Sequence, residues 1–320
     1  MLNKNTLIKK EEQITSNFSE KARDIVFASD FKYSKYIGIA IHSILENNSE
    51  NYCFHIFIND ISSSDLEKLK SLPYKNVNIF IYWINDEAVK NLQANQRFST
   101  GMYYRLLAPY ILYKKIELFL YLDVDILCIN SLSEIFSIDL RESILAAVED
   151  NIEISHLNQL HKLGLNKNSK YFNSGVMYIN SNRWVEDKIT EQFLELINKS
   201  TYIYPDQDVL NIILSKSVKL ISDKFNYKRW EKIPSIFFQE NNNEIAIIHF
   251  IGPFKPWSIS GYNNLYNYYK YRSLWKEQHF EKARNSQEFK KAFRSLWKEG
   301  HKISSILYYI KYLIIKIKGN

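Results

Sequence analysis

Short apolar runs alternate with amphipathic stretches along this chain, and that alternation constrains its fold more than any other feature. Asp24-Ile-Val-Phe-Ala-Ser-Asp30 is an apolar run closed by carboxylates, the pattern of a buried strand that ends in a loop. Ile37, Ile41, Ile44 and Leu45 then fall at helical spacing within residues 33–48. Residues 52–58 read as a strand, 62–72 as a helix opened by Ser/Asp capping chemistry, and 78–84 as a third strand. A helix from about Thr100 to Leu112 leads into the strand 118–123. Further strands are expected at 144–148, 176–179, 218–221 and 245–249, with helices at 183–199 and 206–215. This order predicts an α/β domain, a parallel sheet wrapped by helices, over about residues 24–264. Residues 1–23 read as a polar extension and 265–320 as a helical tail.

Charge separates the tail from the body. The chain of 320 residues carries a formal +7, but residues 265–320 hold 13 Lys and Arg against 4 Asp and Glu. That net of +9 leaves about −2 on residues 1–264, so an anionic partner is expected for the tail alone. Two cysteines, Cys53 and Cys128, cannot build a disulfide framework and fit a reducing compartment. Residues 1–23 show no apolar segment before a small-residue cleavage site, and no run of 18 apolar residues occurs. Neither a secretory leader nor a spanning helix is expected, which points to the cytoplasm.

The tail holds two further signals. Arg272-Ser-Leu-Trp-Lys-Glu277 recurs as Arg294-Ser-Leu-Trp-Lys-Glu299, 22 residues on, close to six helical turns. On one continuous helix both copies would face the same way, although two copies make no solenoid and simple duplication is the plainer account. Ile303, Ile306, Leu307, Ile310, Leu313, Ile314 and Ile317 follow one helical face, flanked by Lys302, Lys311, Lys316 and Lys318 and by Tyr308, Tyr309 and Tyr312. An apolar face with aromatic shoulders and Lys heads suits an interfacial helix on anionic lipid. Packing on the chain's own domain or on a second subunit is the alternative. Aromatics interleaved with Lys also fit a nucleic-acid-binding module, but no groove-reading or single-strand-binding signature accompanies them and no nucleic acid is expected.

Four motifs carry chemistry. Leu118-Phe-Leu-Tyr-Leu-Asp123-Val124-Asp125 runs an apolar strand into two carboxylates that project to the same side. Close carboxylates repel unless a cation lies between them, and a hard divalent ion answers that need. His249-Phe-Ile-Gly252-Pro-Phe-Lys255-Pro-Trp257 also follows an apolar strand. Its His can complete a metal site, its Gly allows close backbone approach, and its Lys supplies a point charge for a phosphate oxygen. Tyr204-Pro-Asp206-Gln207-Asp208 is also an ordinary helix start. Phe172-Asn173-Ser-Gly175 places an amide before a strand, where it can bond a sugar hydroxyl or a turn.

Together with Tyr104-Arg105-Leu106, these motifs in this order over residues 24–260 resemble glycosyltransferase family eight. That family includes bacterial lipopolysaccharide and lipooligosaccharide galactosyl- and glucosyltransferases and, more distantly, glycogenin. The resemblance implies a GT-A fold and retaining transfer of galactose or glucose from a UDP-sugar, with Mn²⁺ or Mg²⁺ as cofactor. It implies a glycolipid or oligosaccharide acceptor, and with the basic tail it implies an enzyme held at the inner face of the cell membrane. Residue by residue, it implies Asp123, Asp125 and His249 as metal ligands. Ala28, Ser29, Asp30 and Tyr33 match the nucleoside positions, with Tyr33 stacking on uracil, and Val124 lies between the two aspartates. Gly252 and Lys255 match the diphosphate contacts. Arg105, Asp150, Asn173, Asp206 and Gln207 match the donor-sugar pocket, and Asp208 matches a carboxylate discussed as a nucleophile. Lys32 departs from the pattern, because galactosyltransferase relatives have a small Asn there, and residues 155–170 show no acceptor match. A non-catalytic sugar-nucleotide-binding relative is the other outcome, opposed by the intact metal triad.

Overall fold

The computed structural model describes residues 4–90, 101–228 and 244–318, so Thr100, the expected start of a helix, lies outside it. The chain divides into two compact units. The first comprises Met1–Ile37, Ser49–Val124 and Leu132–Phe225, and the second comprises Gly38–Asn48, Asp125–Ser131 and Asn226–Asn320.

The first unit is built on an eight-stranded sheet in the order β1-β4-β3-β2-β5-β8-β7-β9. Its strands are β1 (Ile8–Ser16), β2 (Arg23–Ser29), β3 (Tyr52–Ile58), β4 (Val77–Ile84), β5 (Leu118–Leu122), β7 (Leu145–Glu149), β8 (Phe172–Asn180) and β9 (Val218–Ile221). Strands β4, β3, β2 and β5 are parallel, as the alternation predicts, and are apolar on both faces. Helices of eight or more residues here are α2 (Ser63–Lys70), α3 (Gly101–Leu112), α4 (Ile154–Lys162), α5 (Ile189–Ile197) and α6 (Pro205–Leu214), where α1 belongs to the second unit. Tyr104, Leu107, Ile111, Phe193, Val209 and Leu210 join the strand residues in one core. Ser62 caps α2 by accepting the Asp65 amide, as its sequence position predicts.

Two features of this sheet depart from the expected pattern. Strand β8 runs antiparallel to both β5 and β7. Apolar periodicity records burial, and a strand buried on both faces reads alike in either direction. Residues 8–16, expected within a polar extension, form β1, an edge strand antiparallel to β4. The charges of Lys9, Lys10, Glu11 and Glu12 hid it. They are the residues an exposed edge uses against pairing with another chain.

The second unit holds the two-stranded sheet β6 (Ile126–Cys128) and β10 (Ile247–His249), with helices α1 (Ile37–Asn47), α7 (Asn264–Arg272), α8 (Ser286–Lys298) and α9 (Lys302–Lys318). The repeat does not lie on one helix. Helix α7 ends at Arg272, and Trp275 of the first copy is buried against α1 where Gly38 carries no side chain. A Cβ at Gly38 would lie 2.0 Å from the Trp275 ring. The second copy is helical within α8, and its Trp297 is 46% exposed. Helix α9 docks on α8 through the buried Ser305 and through ring contacts of Phe289 with Tyr308 and of Phe293 with Tyr309. Its Ile and Leu stripe is most exposed at its ends, Ile303 at 82% and Ile317 at 84%, and about half exposed between them. The Lys318 side chain lies outside the described residues.

Candidate functional site

In the first unit the strand ends deliver polar side chains. Strand β2 ends in the buried Ala28 and Ser29, and Asp30 caps the short helix Phe31–Ser34 by accepting the Tyr33 amide at 3.3 Å. The Lys32 ammonium lies over the Tyr33 ring, 4.8 Å from its centroid. Asp123 follows β5, and its amide donates to the Gly175 carbonyl at 2.8 Å.

Arg105, buried on α3, organises this end of the sheet. Its guanidinium contacts Asp123 at 3.0 Å and Asp206 at 3.1 Å and donates to the Ser174 carbonyl and hydroxyl at 3.2 Å. Five donors in a rigid fork suit one Arg to two carboxylates, as the Lys ammonium does not. Asp123 also accepts from the Tyr121 hydroxyl at 2.7 Å. Burial pushes the Tyr121 phenol well above its ordinary range, so it remains a donor.

A second network joins Asp150, Asn173 and Gln207. The Gln207 carbonyl accepts from Asn173 Nδ2 at 2.9 Å and from the Ser174 amide at 3.0 Å. Both amide nitrogens donate to one Asp150 oxygen, at 3.0 and 3.2 Å. Pro205 at the first turn of α6 starts the helix that presents Asp206 and Gln207.

Asp208 stands apart from these groups because its side chain is wholly buried. It accepts from the Tyr171 hydroxyl at 2.5 Å, from the Ile203 and Tyr204 amides at 3.0 and 2.9 Å, and pairs with His156 Nε2 at 3.0 Å. Burial and then the Asp208 charge push the Tyr171 phenol far up, which keeps its proton on the oxygen. The carboxylate thus ties α4 and the segment before α6 together.

In the second unit, the register of β6 and β10 pairs His249 with Ile126, next to Asp125. The Phe250 amide donates to the Asp125 carbonyl at 2.8 Å, and His249 Nε2 lies 3.3 Å from Asp125 Oδ1. With the Asn226 carbonyl oxygen facing the ring, His249 Nδ1 donates to it at 2.9 Å, which leaves Nε2 as the nitrogen able to bind an ion. Lys255 donates to the other Asp125 oxygen and to the Phe250 carbonyl at 3.1 Å. Burial alone would raise the Asp125 carboxyl, but the Lys255 ammonium and the His249 ring outweigh it and hold it below the usual carboxylate range. Gly252 has φ of +92°, a conformation that favours glycine and turns the chain between His249 and Lys255.

These donors fit a hard divalent ion. Ligands at right angles with bonds near 2.1 Å stand about 3.0 Å apart, close to the Asp125–His249 separation. Asp123 precedes Asp125 by two residues, with Val124 between them, so the chain itself keeps their Cα atoms within about 7 Å. Ser174, Tyr121, Tyr171, His156 and Asn226 escaped the sequence reading. Tyr121 and Ser174 lie inside quoted motifs and Tyr171 directly precedes one, without a role being read for them, whereas His156 and Asn226 share only a tertiary neighbourhood with the residues they support.

Residues 24–260 match the model for glycosyl transferase family 8, and 262–316 match that for the family's C-terminal region. A lipopolysaccharide 1,2-glucosyltransferase of Escherichia coli is 30% identical over 97% of this chain and 94% of its own length. A lipopolysaccharide 1,3-galactosyltransferase of Salmonella typhimurium is 27% identical over 92% and 91%. Among solved structures, the galactosyltransferase LgtC with donor and acceptor sugar analogues superposes with a TM-score of 0.66 at 24% identity, over 78% of this chain and 96% of that one. The bifunctional WbbM superposes at 0.68 and 18% identity over 81% of this chain, which spans about half (51%) of WbbM. These likenesses show the fold, a GT-A type.

Proposed function

The chain belongs to glycosyl transferase family 8, and on that premise we propose that it is a retaining, metal-dependent hexosyltransferase. It moves galactose or glucose from a UDP-sugar to a lipopolysaccharide or lipooligosaccharide acceptor. The observation that carries this reading is the Asp125–His249 pair, with Lys255 on the same carboxylate, two residues after Asp123.

Asp123, Asp125 and His249 supply the oxygen and nitrogen donors that Mn²⁺ or Mg²⁺ takes. The bound ion would neutralise charge on the leaving diphosphate. Lys255 adds a second positive charge for a phosphate oxygen, and Gly252 lets the backbone approach. Arg105 holds Asp123 and Asp206 in place. Asn173 and Gln207, oriented by Asp150, present amides to the sugar hydroxyls. Ala28, Ser29, Asp30 and Tyr33 hold the nucleoside, with Tyr33 against uracil.

Retention follows from front-face attack. The acceptor oxygen bonds to the sugar C1 as the C1–O bond to the diphosphate breaks, and the acceptor proton passes to a donor phosphate oxygen. Gln207 is a neutral amide and a poor nucleophile. Asp208 already has four partners and is fully buried, so it serves to hold α4 and α6 together.

Helix α9 supports a membrane-surface reading. Its apolar stripe is exposed while its other side docks on α8, and Lys302, Lys311 and Lys316 flank it. No helix among the described residues is long and apolar enough to cross a membrane. We place the enzyme at the cytoplasmic face of an anionic membrane, beside a lipid-anchored acceptor.

A Mn²⁺-supplemented screen of UDP-sugars for UDP release tests the class and names the donor. UDP-galactose or UDP-glucose turnover that chelation abolishes is expected. Absence of release from every UDP-sugar would reject the reading in favour of a binding protein.

A further inference from the structure

Beside the Gly252–Lys255 turn, the second unit has an open pocket of about 260 Å³. One wall is Pro253 and Phe254, the two residues between Gly252 and Lys255, and the facing wall includes Glu281, Lys282, Arg284 and Gln287. We propose that this pocket is a subsite for a neutral sugar ring of the acceptor glycan, an inference that rests on the transferase reading above.

The lining selects the ligand class. Lys282 and Arg284 offer donors, Glu281 and Glu288 offer acceptors, and the Gln287 amide offers both. Two positive and two negative side chains cancel, which disfavours a polyanion. The polar walls disfavour an acyl chain. A hydroxylated ring needs this mixture, since each hydroxyl both donates and accepts. Phe254 adds an apolar wall for the C–H face of a pyranose, and the Lys291 ammonium, 4.9 Å from its centroid, steadies the ring. The volume lies below the ~300 Å³ at which drug-sized sites begin, as suits a single ring.

The far wall is built rather than loose. Glu288 accepts the Arg284 amide at 2.7 Å and the Asn285 side-chain amide at 2.9 Å. The Glu281 backbone bonds to Trp257 and to Ile259, both at 2.9 Å. Pro253 and Phe254 lie between Gly252 and Lys255, the residues assigned to the donor diphosphate, which is why the sugar assigned to this pocket is the acceptor's.

Saturation-transfer NMR on the full chain, with lactose, methyl α-glucoside and glucose 6-phosphate as probes, tests the assignment. The neutral sugars are expected to bind the native protein. The double variant Arg284→Ala, Gln287→Ala, with an unchanged melting temperature, is expected to bind them more weakly by roughly fivefold for each hydrogen bond removed. Equal affinity in variant and native protein, or no neutral-sugar binding, would overturn the subsite. Tighter binding of glucose 6-phosphate than of the neutral sugars would overturn its neutral character. A native protein that hydrolyses UDP-sugars but binds no neutral sugar loses only the subsite. One that binds them through Arg284 and Gln287 but releases no UDP keeps a neutral-sugar site, yet loses the transferase reading and with it the pocket's acceptor role.

Discussion

Arg105 holds Asp206 at 3.1 Å through one guanidinium nitrogen while another holds Asp123 at 3.0 Å. A residue on α3 thereby couples the end of β5 to the first turn of α6. Arg105→Met leaves two carboxylates without their shared cation. It is expected to cost about 3–5 kcal/mol in urea denaturation and to lower kcat. A variant as stable as the parent would show the pairs to be dispensable.

Asp208→Asn tests whether that carboxylate is structural. The amide nitrogen would meet O–H and N–H donors at a site where only acceptors fit. A loss of about 2 kcal/mol is expected, and intact-mass analysis during turnover should find no sugar on Asp208. A glycosyl adduct trapped on Asp208 in the native enzyme would sink front-face attack.

Lys32 covers the ring on which uracil is proposed to stack. Lys32→Asn removes a cation–π contact worth about 0.5–1 kcal/mol, so UDP should bind about two- to fivefold more tightly in calorimetry. Weaker binding in the variant would make Lys32 a ligand of the nucleotide.

Gly38→Ala places a methyl group inside the Trp275 ring volume. About 3 kcal/mol of destabilisation is expected. The same change should cost less in a Trp275→Leu background, and a double-mutant cycle by chemical denaturation measures the difference. Equal costs in both backgrounds would rule out the proposed clash.

The pair Ile303→Glu, Ile317→Glu alters the two most exposed positions of the α9 stripe, at 82% and 84% exposure. Folding stability should hold, while affinity for vesicles containing anionic lipid falls at least about tenfold, since each lost apolar side chain is worth about 1.5–3 kcal/mol when buried. Unchanged vesicle binding would reject the anchor.

Much of this protein was legible in its sequence because the signals are local. Burial writes apolar runs into β2, β3 and β5, capping writes Ser62, and the chemistry of a strand end writes Asp123, Asp125 and His249 into short motifs. The basic stripe of α9 is read the same way, because helical spacing lies within a single segment. Pairing partners are not local. The direction of β8, the edge strand hidden among the charges of residues 8–16, and the separation of the two Trp copies depended on which segments met.

The sequence by itself determined which residues are apolar, which carry charge and which family this chain joins. Only the tertiary structure decided what each of these groups contacts. It enclosed Asp208 among four partners, set Arg105 between two carboxylates, gave His249 its Asn226 partner and turned the Ile stripe outward. The reason is physical: hydrogen bonding and desolvation act between atoms a few ångströms apart, and the fold brings those atoms together from segments far apart in the chain.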